Sequence, residues 1–228
     1  MINDIHFPKS VTGILLDDYL AQGWYRMGQI MFTTDQVIYL DNLHRVHWLR
    51  YHVPDISFTR THKKIISANS EFIVEFKPLD ISNELEDLYE VYRESIPFDP
   101  SDSVEDFLFG GSIKDIFTSQ LIELRDKGKL IAAGVFDIGE KAIAGIMNFY
   151  HPEYKKFSAG KYLMLLKIQF AIKNGIEWYY PGYLMEGNPR FDYKLFIGKD
   201  IAEVFLAEEE HWIPHSSAEQ WNLDLKGD

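Results

Sequence analysis

The sequence predicts an α+β (α/β) protein organised around a three-stranded antiparallel meander and one buried helix. Three observations lead there. Ser119 to Arg125, Leu130 to Asp137 and Ala142 to Tyr150 are strand-like runs joined by the turns DKGK and IGEK, the pattern of consecutive hairpins. The run KKFSAGKYLMLLKIQFAIKNG has apolar residues around most of a helical circumference, which predicts a helix from near Ser158 to Asn174-Gly175, buried on nearly all sides. Ahead of both, Ser82 opens the clearest amphipathic helix, with Leu85, Leu88, Tyr89, Tyr92 and Ile96 at helical spacing and Pro97 and Pro100 ending it.

The other elements are read in chain order. Leu15 to Gln22 is a short helix closed by Gly23. Gln29 to Phe32, Gln36 to Leu40 and His44 to Val53 are rich in β-branched and aromatic residues, and Asp41-Asn42 supplies turn chemistry, so they read as a small antiparallel meander. Ile56 to Ala68 is polar, basic and helical in pattern, and Glu71 to Phe76 is a strand. Pro78 marks a subdomain seam, dividing an N-terminal meander-plus-helix subdomain, 1–78, from a larger domain, 79–228. Val104 to Phe109 is a second short helix before Gly110-Gly111; Glu177 to Tyr180 is a short strand, and an irregular loop, PGYLMEGNPRFDYKLFIG, follows it.

Composition removes several kinds of chemistry. The chain has 228 residues and no cysteine, which excludes disulfides, zinc–thiolate and iron–sulfur sites and cysteine nucleophiles. No secretion signal is visible at MINDIHFPKSVTG, and the longest greasy run, Tyr162 to Ile172, is too short to span a bilayer, so a soluble, cytoplasmic protein is expected. The net charge of -12 argues against general affinity for polyanions. Charge is nevertheless segregated: His44 to Lys64 holds Arg45, Arg50, Arg60, Lys63 and Lys64 against the single acid Asp55, whereas Asp80 to Asp106 and Glu203 to Glu210 are strongly acidic.

Helix, helix, antiparallel meander, helix, strand is the layout of the GCN5-related N-acyltransferase fold. Such folds hold an acyl donor where strand gives way to helix, because a helix N-terminus offers free amides to an anion. Acetyl-CoA enzymes carry an Arg/Gln-x-x-Gly-x-Gly/Ala stretch there. This chain has KKFSAGKY, one glycine short, so coenzyme A is not the obvious donor.

The pieces LIAAGVFDI, NFYHPEYKKFSAGKYLMLLKIQFAIKNGIEWYYPGY and GNPRFDYKLFIG, with GWYRMG and SFTRTHKKIISANSEF before them, resemble the arginyl-tRNA–protein transferases and their bacterial leucyl-transferring relatives. The resemblance runs from about Asp17 to Trp212. It implies transfer of an aminoacyl group, Arg or Leu in type, from tRNA to the N-terminal amine of an acceptor protein that is thereby marked for degradation. The aminoacyl-tRNA is then the co-substrate and no cofactor is expected. An ester is already activated, so the amine attacks it directly once both partners are positioned and the oxyanion is stabilised. The family's cysteine cluster is missing: its place reads YLDNLHRVHWLRYH, where an Asp-Asn hairpin replaces the metal loop and His44, His47 and His52 read as strand residues rather than ligands.

Candidate site residues follow from the motifs and the resemblance together. Tyr183, Tyr193, Arg190 and Lys194 are placed at the mouth of a cleft between parting strands, the cations for a phosphate or an acceptor carboxylate and the phenols for the ester. Arg60, Lys63 and Lys64, at i, i+3 and i+4, share a helix face and with Arg26 make a candidate tRNA contact. Tyr150, Ser158, Gly160 and Tyr162 surround the expected donor helix, and Asn69 reads as a helix cap. Asp137 is either a general base for the amine or the start of the IGEK turn, and His151 is a second base candidate or an ordinary loop residue. Two alternatives remain at this stage: an acyl-CoA N-acyltransferase, and a non-catalytic relative that binds tRNA or protein N-termini.

Overall fold

In the computed structural model, which describes residues 3–97 and 100–217, the chain runs β1 (Asn3–His6), α1 (Ile14–Ala21), β2 (Tyr25–Met27), β3 (Ile30–Thr34), β4 (Gln36–Tyr39), β5 (Asn42–His52), α2 (Arg60–Ala68), β6 (Ile73–Pro78), α3 (Asn83–Ser95) and α4 (Val104–Phe109). It continues through β7 (Ser119–Asp126), β8 (Lys129–Ile138), β9 (Ala142–Tyr150), α5 (Ala159–Lys173), β10 (Trp178–Met185), β11 (Ala202–Leu206) and β12 (His211–Pro214). Short 3₁₀ segments occupy Pro152–Phe157 and Pro189–Ile197.

Local chemistry accounts for the helices. Ser82 Oγ accepts the Leu85 amide at 3.3 Å and starts α3. Thr59 and His62 form a reciprocal capping box at the start of α2, so that helix begins four residues later than its polar pattern suggests. Asn69 caps its other end, donating Nδ2 to Ile65 O at 2.8 Å and to Phe157 O at 2.9 Å.

A nine-stranded mixed sheet has the order β12-β11-β5-β10-β9-β8-β7-β6, with β4 pairing on β5, and a three-stranded sheet has the order β1-β3-β2. Several expectations change here. The N-terminal strands are not one meander: β3 pairs with β1 and β2, while β4 and β5 form a hairpin. Its turn residues are Leu40 and Asp41, both at positive φ, one position ahead of the expected Asp-Asn pair. β10 does not stop at Tyr180; it runs through Pro181 to Met185, because the register against β5 shifts between Tyr179 and Gly182 and the bulge absorbs a residue with no N–H. The acidic run from Glu203 hides β11 and leads into β12: Ala202, Val204 and Phe205 are buried, and Glu203 is held by Arg50 at 2.6 Å. The expected seam after Pro78 falls at the end of β6, and β5 and β6, N-terminal to it, pair with β10 and β7 in the large sheet.

The sheet is covered on both faces. Alternate residues of β8 point to opposite sides, Ala132 and Phe136 toward α5, Ala133 and Val135 toward α3 and α4. Helix α5 is buried almost all round, as its pattern requires. Helix α1 and the small sheet close a third cluster over Trp48, Ala142, Ala144 and Tyr180.

Candidate active site

Among the described strands, β9 and β10 form the one parallel pair, and it lasts for three residues, Trp178↔Ala142, Tyr179↔Ile143 and Tyr180↔Ala144. Beyond these β9 stays with β8 and β10 with β5, so the two strands part like a fork. The Tyr25 hydroxyl sits in the crotch, 2.6 Å from Gly145 O and 2.9 Å from Tyr180 O, the carbonyls at which the strands separate. β9 also carries a bulge against β8, where the register slips between Val135 and Phe136.

A cavity of about 840 Å³ opens in the fork. Its lining comes from both sides of the sheet: Arg26 to Ile30 with Asp106, Phe107, Phe109 and Gly110 on one, Met164 of α5 with Phe191, Tyr193 and Lys194 on the other, and Gly145, Asn148, Tyr179, Gly182 and Tyr183 at the fork itself. One wall is aromatic. Trp48 stacks on Tyr25 at 5.1 Å and meets Phe32 and Tyr183 edge-on, and Tyr183 stacks on Phe191 at 5.4 Å.

Lys194 is buried in this wall. Its Nζ donates to Tyr183 O at 2.6 Å and lies about 5 Å from the rings of Tyr183 and Phe191. Burial pulls its pKa down to about 7, and no carboxylate offsets this. Tyr183 and Tyr193 line the cavity beside it, and burial raises the Tyr183 phenol so that it stays protonated at neutral pH. Arg190 lies apart: it is exposed, does not line the cavity and donates to Tyr39 Oη at 3.0 Å.

Arg26 and Asp137 do something other than what their residue types suggest. Arg26 is not on the surface with α2 but buried, and it donates to Asp137 Oδ1 at 2.9 Å, Ser119 Oγ at 3.0 Å, Leu108 O at 2.8 Å and Gly28 O at 2.8 Å. Asp137 is wholly buried behind it, does not line the cavity, and also accepts from Ser119 Oγ at 2.5 Å. Burial raises the Asp137 pKa against the opposing pull of Arg26. The pair ties β2 to β7, β8 and α4, and so fixes one cavity wall.

The remaining sequence-selected residues gather at the N-terminus of α5. Ser158 sits at φ 57 and gives the helix no side-chain cap. Gly160 lets the Tyr150 ring approach, since a Cβ there would stand 3.3 Å from Tyr150 Cε1. Tyr162 is buried in the core and does not reach the cavity, nor do Tyr150, Ser158 and Gly160. On the same side α2 leans on the Pro189–Ile197 turn, with His62 Nε2 donating to Phe196 O at 2.8 Å. Arg60, Lys63 and Lys64 are exposed on α2, and Lys155, Lys156 and Lys161, just before and in the first turn of α5, are exposed as well.

The three strand histidines have partners: His47 Nε2 lies 2.8 Å from Glu186 Oε1, His44 Nδ1 3.3 Å from Glu186 O, and His52 Nδ1 2.9 Å from Asp55 Oδ2. His151 starts the 3₁₀ turn after β9, accepting the Glu153 amide. Sequence reasoning missed Tyr25, Trp48, Asp106, Asn148 and Phe191 as cavity residues. Nothing local marks them; they meet only because β5 and β2 are brought against β9 and β10.

A fork between two parallel strands, packed against a buried helix, is the arrangement of the GCN5-related N-acyltransferase-like fold. The solved structure of FemX shares the fold, with a TM-score of 0.50 and 9% identity over 80% of this chain and 63% of that one. The chain belongs to the arginine-tRNA-protein transferase family, whose C-terminal model matches residues 84–199, and it is an aminoacyltransferase. Among curated relatives, the aspartate/glutamate leucyltransferase of Leptospira interrogans is 25% identical over 221 residues, 91% of this chain and 81% of that protein. The enzyme of the same name from Pseudomonas fluorescens is 29% identical over 161 residues, 68% of this chain and 65% of that protein.

Proposed function

We propose that this aminoacyltransferase moves an apolar aminoacyl group, leucyl in kind, from tRNA to the N-terminal amine of a protein or peptide that begins with Asp or Glu. The observation that carries the reading is a cavity of about 840 Å³ lined from both faces of the sheet at the fork, so that two substrates reach one point from opposite sides. The names of the curated relatives support the same pair of substrates.

The wall of Tyr25, Phe32, Trp48 and Phe191 suits an apolar side chain, and Asp106 is the one carboxylate among the lining residues, which leaves an arginyl group little to pair with. Lys194 receives the carboxylate of the acceptor's first residue; that charge restores its ammonium inside an apolar wall. The basic area of Arg60, Lys63 and Lys64 holds phosphates of the tRNA acceptor end and delivers the ester past the α5 N-terminus. Arg190, exposed outside the cavity, belongs with those contacts.

In the reaction the amine nitrogen bonds to the ester carbonyl carbon, the C–O bond to the ribose breaks, and a proton leaves the nitrogen for the departing ribose oxygen. Tyr183 and Tyr193 hydroxyls relay that proton, and Asp137 acts through Arg26, as a positioning residue. The aminoacyl-tRNA is the sole co-substrate, and the product carries a new N-terminal residue that marks it for degradation in the cytoplasm. A coenzyme A donor is disfavoured because the one glycine of KKFSAGKY is already used to seat Tyr150.

The test incubates the protein with tRNA charged with labelled Leu, Phe, Arg or Lys and with peptides beginning Asp, Glu or Ala. Label from leucyl-tRNA should appear on the Asp and Glu peptides. No transfer from any charged tRNA overturns the reading.

A further inference from the structure

The middle of α5 contributes a second buried lysine that the reaction described above leaves unused. Lys167 is completely buried, and its Nζ donates to Val135 O at 2.8 Å, Met147 O at 3.0 Å and Asn148 Oδ1 at 2.9 Å. The two carbonyls belong to the bulge between β8 and β9, where the ladder leaves backbone oxygens to be satisfied. The third partner has a further consequence. An ammonium only donates, so it fixes the carboxamide of Asn148 with oxygen toward Lys167 and the Nδ2 donors turned the other way.

Asn148 lines the cavity, and its Nδ2 makes no hydrogen bond with the described residues. Space for the arrangement comes from Gly134, directly across the ladder from Asn148. A Cβ at Gly134 would stand 2.9 Å from Asn148 Oδ1, 3.3 Å from Leu163 Cδ2 and 3.4 Å from Lys167 Cε. Three positions on β8, β9 and α5 thus combine to aim one amide donor into the fork.

We infer that Asn148 Nδ2 is the donor that holds the carbonyl oxygen of the aminoacyl ester as charge develops on it, and that Lys167 is the positioning residue that orients and polarises it. This rests on the transfer reaction proposed above. As the amine attacks, the carbonyl π pair moves onto oxygen, and a donor fixed beforehand stabilises that charge without reorganising. The buried cation behind the amide strengthens the N–H as a donor, as hydrogen-bond chains do in a low dielectric.

The experiment compares wild type, Asn148→Asp, Lys167→Met and the double variant for transfer of leucine to a peptide beginning with Glu, with thermal midpoints measured alongside. Asn148→Asp keeps the shape, turns the donor into an acceptor and retains a partner for Lys167. Its kcat should fall about 10²–10³-fold, the loss typical of one oxyanion donor, with KM for both substrates within about threefold and an unchanged midpoint. Lys167→Met should lower kcat in the wild-type background and much less in the Asn148→Asp background, because the two residues act through one hydrogen bond. Asn148→Ser, too short to reach, is a second variant should the aspartate fail to fold, and its kcat should fall as well. An active wild type whose Asn148 variants keep kcat within about threefold, or equal effects of Lys167→Met in both backgrounds, overturns this inference alone. A wild type that transfers nothing overturns the transfer reading first.

Discussion

Two lysines of this protein are buried: burial pulls the Lys194 pKa down to about 7, whereas at Lys167 three hydrogen-bond acceptors and Asp137 oppose burial and keep the ammonium. The unfolded chain keeps the Lys194 ammonium to about 10.5, so between about 7 and 10.5 it binds more protons than the folded one, and stability rises with pH across that window. Tyrosines raised by burial, such as Tyr51 and Tyr179, reverse the trend above their ordinary value of 10.0. Denaturant midpoints measured from pH 7 to pH 9.5 should therefore climb in wild type and climb less in Lys194→Met. A flat wild-type profile would show that Lys194 stays charged. The same variant should raise KM for Asp and Glu peptides about 10–100-fold, the worth of one charge-assisted hydrogen bond, and erase the preference over Asn and Gln peptides. Residue types alone do not separate these roles. Lys194 is legible because a cation stands in a loop of prolines and aromatics. Lys167 reads as a break in a greasy helix, and Asp137 reads as a base because nothing near it in the sequence reveals that Arg26 lies against it.

Elements with caps and strong periodicity are legible: Ser82, the apolar stripe through Leu85 and Leu88, and the DKGK and IGEK turns place α3 and the β7–β8–β9 meander almost to the residue. Short or acidic elements are not. β2 has three residues, and β11 alternates a paired Glu203 with buried Val204, so neither carries a periodic signal above its neighbours. Helix α2 offers a clean test at this scale, because His62 docks it while Arg60, Lys63 and Lys64 face outward. Reversing those three charges should leave the thermal midpoint unchanged and raise KM for charged tRNA. The log–log salt dependence of tRNA binding should become shallower by about 0.7–0.9 for each phosphate that is no longer neutralised. An unaltered salt slope would move the tRNA off this helix.

The whole molecule sets the kinetics. Because the cavity is lined from both faces of the sheet, the two substrates need not displace one another. Uncharged tRNA should compete with aminoacyl-tRNA and be non-competitive against the peptide; competition with both would mean a single shared entrance. The sheet that separates those faces also has an unusual order of assembly. β5, made early, lies between β10 and β11, which are made late, with Tyr51 paired both to Tyr179 and to Ala202. On a ribosome the central slot must therefore wait for partners more than a hundred residues away, leaving Trp48, Leu49 and Tyr51 uncovered until the final stretch emerges. Such a polypeptide should fold late and as one piece, and lean on chaperones while it is being synthesised.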